Sequence, residues 1–369
     1  MKNENALLPL DAATLKRVAL IGPMADQPYE QLGTWIFDGD DSFSQTPLVA
    51  SKDARPAHIE LDHVKVLEST RSYDLSEAET AIEAARNADV TVVFLGEESI
   101  LSGEAHSRAD INLPGAQTEL LAQLKATGTK LVTVILAGRP LTLPEIVANS
   151  DALLFAWHPG TMTGPALYDL IFGNAAPTAR LPVSFPKMVG QIPIYYNHKN
   201  SGRPASDNQI MHIDEIQVGA KQTSFGMTAF HLDAGFRPLF PFGFGLSYSQ
   251  FDYAGLQLDR TELSAGETLG VSVRVTNVGD RPGTETVQLY IRDMAASLTR
   301  PIRELKACKR VHLSPGQSET VHFQLTEEDL AFYRRDKTFG AEPGAFKVWV
   351  GPNVDAVLVA DFVLKDVSN

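Results

Sequence analysis

One short stretch of the chain concentrates side chains that can move protons. Residues 96–108, GEESILSGEAHSR, hold three glutamates, a histidine and an arginine. A carboxyl group that donates a proton and later takes one back performs acid/base catalysis, and a nearby cation can position it or its substrate. Charge clustering alone also fits a solvated acidic loop, so the pattern by itself leaves both interpretations open.

A second group of residues has the chemistry to contact a sugar. Trp35 is followed by Asp38, Asp40 and Asp41, and an aromatic face can stack on the C–H surface of a sugar ring. A lone tryptophan is more often a packing residue, and that alternative stays open. Trp157 ends an apolar run, so we expect it in the core.

Common cofactor and metal signatures are missing from the sequence. Gly22-Pro23 is not followed by the G-x-G-x-x-G pattern of nucleotide sites, and no H-E-x-x-H, C-x-x-C or calcium-loop pattern occurs. Cys308 is the one cysteine, which excludes an intrachain disulfide, and nothing around it indicates a nucleophile. We therefore expect neither a metal nor another cofactor.

Composition limits the class of partner. The chain of 369 residues is 44% hydrophobic and 21% charged, which is typical of a folded globular protein. Its net charge of −13 provides no basic field for phosphates, so neither nucleic acid nor an anionic membrane is an expected partner. No apolar run is long enough to span a bilayer.

The acidic loop follows an element that can position it. Strands are predicted at residues 18–22, 90–96, 131–136 and 152–157, and helices at 75–88, 114–126, 143–148 and 164–172. A capping box of Ser76 and Glu79 is predicted to open the first of these helices. Fully apolar strands between helices indicate an α/β fold, an α/β/α sandwich with a mostly parallel sheet, in which loops at the carboxyl ends of strands bind ligands.

The pattern changes towards the C-terminus. Residues 192–241 are rich in Gly, Pro and aromatic residues without periodicity, which indicates a functional loop or an interdomain connector. Alternating runs then follow at residues 269–277, 286–291, 319–325 and 345–350, with Gly- and Pro-containing turns between them. Short alternating strands of this kind predict an all-β sandwich.

Several motifs follow one another in a single order along nearly the whole chain. They are KN…LPL (2–10), ALIGPMAD (19–26), GEAHSR…LPGAQ (103–117), GRP (138–140), AWHPG (156–160), RLPVSFP (180–186) and FPFGFGLSY (240–248). Together they resemble the C-terminal part of bacterial family 3 glycoside hydrolases of the β-glucosidase type. Residues 160–165 depart from many relatives, which carry an acidic residue and paired glycines there, so the substrate contacts of this loop stay open.

The resemblance implies a domain organisation and a compartment. Residues 1–14 are expected to be an interdomain linker, 15–190 the α/β sandwich domain with the acidic loop, 191–248 a connector and 249–369 a fibronectin type III-like domain. The residues before Leu20 are too few for the N-terminal (β/α)8 barrel that carries the family's nucleophilic aspartate, so we expect the chain to be inactive alone and to need a barrel-bearing domain or chain. The family is often periplasmic or extracellular, although the sequence shows no signal peptide.

The resemblance also implies a role for individual residues. Glu104 is expected to be the general acid/base of a retaining enzyme acting on a β-glucoside or oligosaccharide, with Glu97 and Glu98 as local competitors. From their own chemistry rather than from the resemblance, Trp35, Asp38, Glu98, His106 and Arg108 are expected to contact substrate, although a loop-stabilising ion pair is an equal alternative for the last two. β-Xylosidase specificity and a non-catalytic carbohydrate-binding or assembly module are the other hypotheses.

Overall fold

The structure is a computed structural model that describes residues 1–365. The chain divides into two compact units, Met1–Pro177 and Thr178–Asn369. Within the described residues no helix combines the length and the apolar character needed to cross a membrane.

The first unit is built on a mostly parallel sheet. Its strands are β1 (Lys2–Asn3), β2 (Arg17–Ile21), β3 (Glu60–Val64), β4 (Val90–Gly96), β5 (Lys130–Leu136) and β6 (Ala152–Phe155). The strand order is β1-β6-β5-β4-β2-β3, and β1 alone among these strands runs antiparallel to its neighbour. Every residue of β4 is buried, which agrees with its uninterrupted apolar sequence.

Helices cover both faces of this sheet. They are α1 (Pro47–Ala54), α2 (Ala78–Asn87), α3 (Gln117–Lys125), α4 (Pro144–Ala148) and α5 (Thr163–Phe172). α1 packs on α5, while α3 packs on both α2 and α4, so the helices form two groups. The predicted α/β/α class is confirmed. The predicted capping box is wrong, because α2 begins at Ala78 without a side-chain cap and the Ser76 N–H donates to the Asp74 carboxylate instead.

The second unit contains a β-sandwich. Its strands are β7 (Phe251–Leu258), β8 (Glu262–Leu263), β9 (Thr268–Asn277), β10 (Gly283–Asp293), β11 (Glu304–Leu313), β12 (Ser318–Thr326), β13 (Phe332–Tyr333), β14 (Phe339–Gly340), β15 (Gly344–Gly351) and β16 (Leu358–Leu364), with a helical turn α6 (Glu327–Leu330) after β12. One sheet has the order β11-β10-β15-β16-β8 and the other β12-β9-β7, while β13 pairs with β14. Alternate side chains of β9, β10 and β15 form the core between the sheets, as period-two patterning predicts.

Irregular chain covers the outer face of the larger sheet. Residues 178–250 contain three short 3₁₀ turns, Val189–Gln191, Asp207–Gln209 and Ile213–Glu215. The Tyr196 ring stacks on Phe242 at 4.0 Å and lies edge-on to Tyr290 of β10 at 6.3 Å.

The predicted linker 1–14 contributes β1 to the first unit, and the predicted connector 191–248 lies in the second unit. The limits of the four predicted segments stay predictions.

Candidate active site

Four loops of the first unit emerge at one edge of its sheet. β2, β4, β5 and β6 are parallel, so the segments that follow their carboxyl ends lie side by side. The chain goes from β2 outward to β3 and then returns to β4 on the other side of β2. Such a reversal leaves a crevice at the carboxyl edge, where open α/β sheets bind ligands. The acidic loop begins at this reversal, directly after β4.

Glu97 fixes the base of the acidic loop. Its side chain is fully buried, and its two oxygens accept from Nη1 of Arg108 and from Nε of Arg139, the latter at 3.2 Å. Nη2 of Arg139 also donates to the carbonyl oxygens of Leu101 and His106, the second at 2.9 Å. A single guanidinium therefore ties both ends of the segment 101–106 to the end of β4. The buried pair agrees with the loop-stabilising alternative for Arg108, whose predicted substrate contact stays a prediction.

Glu98 is held on the other side of β4. Its carboxylate accepts from Nε of Arg71 at 2.6 Å, and its side chain is 11% exposed. It lines a pocket of about 200 Å³ together with Glu30 and Thr70. Its partner and its burial place it apart from the exposed end of the loop. The substrate contact predicted for Glu98 stays a prediction, and this pocket is the place where such a contact would be made.

Glu104 lies at the exposed tip of the loop. Within residues 1–365 its carboxylate has no hydrogen bond or ion pair to another residue. The residues on each side, Gly103 with φ 117° and Ala105 with φ 61°, both have left-handed backbone. Ala105 is a non-glycine residue in that region, a conformation that persists when the surrounding structure enforces it. Its neighbour His106 is exposed and approaches the Ser102 carbonyl with Nδ1 at 3.3 Å.

The loop that carries Trp35 lies beside the acidic loop. A Cβ placed on Gly103 would lie 3.3 Å from Cγ2 of Thr34, so the residue before Trp35 contacts the residue before Glu104. Trp35 is 60% exposed and its ring centroid lies 6.0 Å from that of Phe37, which is 87% exposed. The structure thus brings the neighbourhoods of two predicted site residues together. Asp38 is exposed near them and has no hydrogen bond or ion pair to residues 1–365.

His158 sits beneath these loops. Gly33 and Gly138 pack directly on its ring, since a Cβ on either glycine would lie within 3 Å of a ring atom. Burial lowers the pKa of His158, and the Glu30 carboxylate acts in the opposite direction. Its Nε2 has no hydrogen-bond partner in the part of the chain that the structure describes. The neutral ring therefore acts as packing between the loops that follow β2, β5 and β6.

Sequence reasoning missed the roles of Glu97 and Arg139. Glu97 follows directly on the last residue of β4, and Arg139 lies three residues after the end of β5. A position just after a strand end is the sequence signal that the two residues share. Trp157, expected in the core, is partly buried and packs edge-on against Phe155 at 4.7 Å. Among residues 1–365 no group of three His, Cys, Asp or Glu side chains is arranged to hold a metal ion.

Comparison with known proteins finds matches along both units. Residues 1–248 match the model of the glycosyl hydrolase family 3 C-terminal domain, and residues 285–354 match that of the fibronectin type III-like domain. The chain is 34% identical to a periplasmic beta-glucosidase of Salmonella typhimurium, covering 99% of this chain and 48% of that protein. It is 36% identical to a beta-xylosidase of Formosa agariphila, covering 96% of this chain and 47% of that protein.

Solved structures of beta-glucosidases also match nearly the whole chain. A beta-glucosidase from Listeria innocua in complex with glucose superposes with a TM-score of 0.88 at 34% identity, covering 99% of this chain and 48% of that one. A Bifidobacterium adolescentis GH3 beta-glucosidase superposes with a TM-score of 0.79 at 26% identity, covering 99% of this chain and 51% of that one. The chain thus spans about half the length of these relatives.

Proposed function

The chain belongs to glycoside hydrolase family 3, whose C-terminal part it represents, and we propose that it supplies the general acid/base, Glu104, of a retaining β-glycosidase. The observation that carries the proposal is the position of this carboxylate. It is exposed and unpartnered within residues 1–365, at the tip of a loop whose base is fixed by Glu97 and Arg139. An acid/base must be protonated in one step and ionised in the next, and a permanent ion pair would oppose the first of these states.

The chemistry follows from two carboxyl groups on opposite sides of the glycosidic bond. Protonated Glu104 donates its proton to the leaving oxygen while a carboxylate nucleophile attacks the anomeric carbon and forms a glycosyl ester. The ionised Glu104 then takes a proton from water as that water attacks the anomeric carbon and releases the nucleophile. Two carboxyl groups in such an enzyme are about 5–5.5 Å apart.

We place the nucleophile outside these 369 residues, on the barrel domain that the family resemblance implies. The chain spans about half of its curated relatives, which leaves room for such a domain in a whole enzyme. Side chains on the carboxyl-edge loops also support a covering partner: Phe37, Ile100 and Met162 are 87%, 60% and 55% exposed. Exposed apolar side chains in one region are typical of an interaction surface.

The proposed substrate is a terminal β-linked glucoside. Relatives named beta-glucosidase and beta-xylosidase match the chain with similar identity, so β-xyloside specificity is the alternative. Comparing kcat/KM on aryl β-glucoside and aryl β-xyloside decides between them. The relative named periplasmic supports a place outside the cytoplasmic membrane, which fractionation of cells that make the protein tests.

The test of the acid/base role is Glu104→Gln in an enzyme that joins these residues to a family 3 barrel. Loss of a general acid costs about 10²–10⁴ in rate, so kcat/KM on a poor, alkyl leaving group should fall by that factor. An activated dinitrophenyl glucoside needs little protonation, and there the glycosyl ester should accumulate because water is no longer activated. Azide should restore turnover of Glu104→Ala and yield a glycosyl azide.

Glu83→Gln is the matched control. Glu83 is an exposed carboxylate on α2 that, like Glu104, has no hydrogen bond or ion pair from its side chain within residues 1–365. Its replacement should leave all these rates unchanged. Equal losses on activated and poor leaving groups, with no azide product, would assign Glu104 a binding role and support the non-catalytic carbohydrate-binding alternative.

A further inference from the structure

The second unit contains a groove of about 770 Å³ whose lining residues all belong to that unit. One wall is the outer face of β10 and β15, which presents Arg292 and Trp349. The other wall is irregular chain within residues 191–236 that carries Tyr195 and Lys199. This volume lies within the range of small-ligand pockets, about 300–1,000 Å³.

The charge of the groove is opposite to that of the protein. Lys199, Arg292 and Arg303 line it, and no aspartate or glutamate is among its lining residues in the described chain. The whole protein carries a net charge of −13. A cationic groove on an acidic protein attracts an anion locally while the rest of the surface repels it.

None of the three groove cations forms a salt bridge to a carboxylate within residues 1–365. There the Arg292 guanidinium has no hydrogen bond or ion pair to another residue, and neither does the Lys199 ammonium. Nη1 of Arg303 donates to the carbonyl oxygens of Val354 and Ala356, at 2.8 and 3.1 Å, and its guanidinium lies 4.0 Å from the Trp349 ring. Arg303 is therefore held in place through Nη1 and the Trp349 ring, while its Nε and Nη2 donate no hydrogen bond to residues 1–365.

Burial disfavours the charged guanidinium of Arg303, a cost that a bound anion would offset. Burial lowers the pKa of Arg303 to about 10, and the Asp355 carboxylate acts in the opposite direction. Asp355 also lies 3.7 Å from Arg237, so its charge is shared between two arginines. A carboxylate bound in the groove would supply the missing partner, and guanidinium groups bind carboxylates with two parallel hydrogen bonds.

The other residues that line the groove restrict the chemical class of ligand further. Asn200 and Ser201 offer donors and acceptors for hydroxyl groups, while Tyr195 and Phe236 offer faces for an apolar ring surface. A sugar ring presents hydroxyls at its rim and C–H groups on its faces. Carboxylate, hydroxyls and a ring face occur together in a hexuronic acid. We propose that this groove binds a uronic-acid unit of an acidic saccharide, held by Arg292 and Arg303.

The proposal is independent of the acid/base role of Glu104, because every residue it uses lies in the second unit. Its test is calorimetric titration of the 369-residue protein with sodium D-glucuronate and with D-glucose, which differ in the oxidation state of carbon 6. Charge-assisted hydrogen bonds should favour glucuronate by about tenfold or more in affinity, and added salt should reduce that preference. Equal affinity for the two sugars would overturn the proposal.

Variants localise the binding. Arg292→Gln should lower the affinity for glucuronate about tenfold and leave the melting temperature unchanged, because the Arg292 side chain has no hydrogen bond to residues 1–365. Arg335→Gln is the control: Arg335 is an exposed arginine of the same unit outside the groove, and its loss should change nothing. Unchanged affinity in Arg292→Gln would refute the site. Tighter binding of 4-hydroxybenzoate than of glucuronate would refute the sugar acid and favour an aromatic acid.

Discussion

Replacing Glu97 by glutamine should both destabilise the first unit and slow the proposed reaction. The change removes the negative charge that two guanidinium groups share and keeps the size of the side chain. Arg108 and Arg139 then face a neutral amide inside the fold. Breaking a buried ion pair from one side costs about 3–5 kcal/mol, because the remaining charge stays buried without compensation.

The structure indicates the lower end of that range. The side chains of Arg108 and Arg139 are 20% and 16% exposed, so water reaches part of each guanidinium. Arg139 keeps the carbonyl acceptors of Leu101 and His106, and Arg108 keeps that of Asn112. We expect a loss of about 3 kcal/mol. For a unit of this size that corresponds to a fall in melting temperature of roughly 6–12 °C.

Two measurements separate a positioning role from a structural one. Thermal unfolding gives the stability loss, and steady-state kinetics of the barrel-joined enzyme, well below its melting temperature, give kcat and KM separately. A loosened loop misplaces Glu104 without touching the sugar, so kcat should fall by up to about 10²-fold while KM stays unchanged. Combining Glu97→Gln with Arg139→Gln should cost less than the sum of the single changes, because they share one interaction.

Asp151→Asn is the matched control. Asp151 is also a buried carboxylate with two basic neighbours, Lys125 at 3.0 Å and Lys130 at 3.8 Å, and it accepts from the Leu131 N–H. It lies directly before β6, at the amino ends of the parallel strands and so at the opposite edge of the sheet from the acidic loop. Its loss should lower the melting temperature while kcat is retained. An unchanged melting temperature and kcat in Glu97→Gln would refute the reasoning, and so would equal kcat losses in both variants.

Two further predictions concern residues around the same loop. Trp35→Ala should leave the melting temperature nearly unchanged, since the side chain is 60% exposed, and should raise KM for a β-glucoside by up to about tenfold; an unchanged KM would assign Trp35 to packing alone. Burial lowers the pKa of His158, so below about pH 6.5 the unfolded chain binds a proton that the folded chain does not. Stability of the first unit should therefore fall from pH 7.5 to 5.5, and less steeply in His158→Gln; identical slopes by thermal melts would contradict this.

The α/β layer could be predicted because its sequence signal is local. The strand predicted at residues 90–96 is observed at those limits, and the one predicted at 131–136 differs by one residue at its start, since uninterrupted apolar runs of this length suit a strand buried on both faces. The acidic loop was placed correctly for the same reason, because it follows such a run. The start of α2 was not, since Ser76 is used by a turn with Asp74 rather than by the helix.

The distinction between the neighbouring glutamates could not be predicted. Glu97 and Glu98 are adjacent, and Arg108 lies 11 positions from Glu97 in the same loop, but Arg139 and Arg71, the partners that hold the two glutamates apart, are 42 and 27 positions away. No local pattern carries information about contacts over such separations. The same limit applies to β10, whose alternation predicts one buried face. Tyr290 on its other face is also buried, because the irregular chain around Tyr196 covers it. That chain has no periodic sequence pattern from which its position could be predicted.

The proposed acid/base role of Glu104 places on the acidic loop two requirements that conflict at a single residue. A group that exchanges a proton in both directions must be free of a permanent counter-ion, whereas a catalytic group must also be held in position. The fold separates these tasks: the charge pairs lie at the base, where Glu97 and Arg139 are buried, and the tip carries Glu104 without a partner in residues 1–365. Because Arg139 binds carbonyl oxygens on both sides of the tip, rigidity reaches Glu104 through the backbone rather than through its carboxylate. In the proposed enzyme, the first unit therefore sets the position of Glu104 without using its carboxylate.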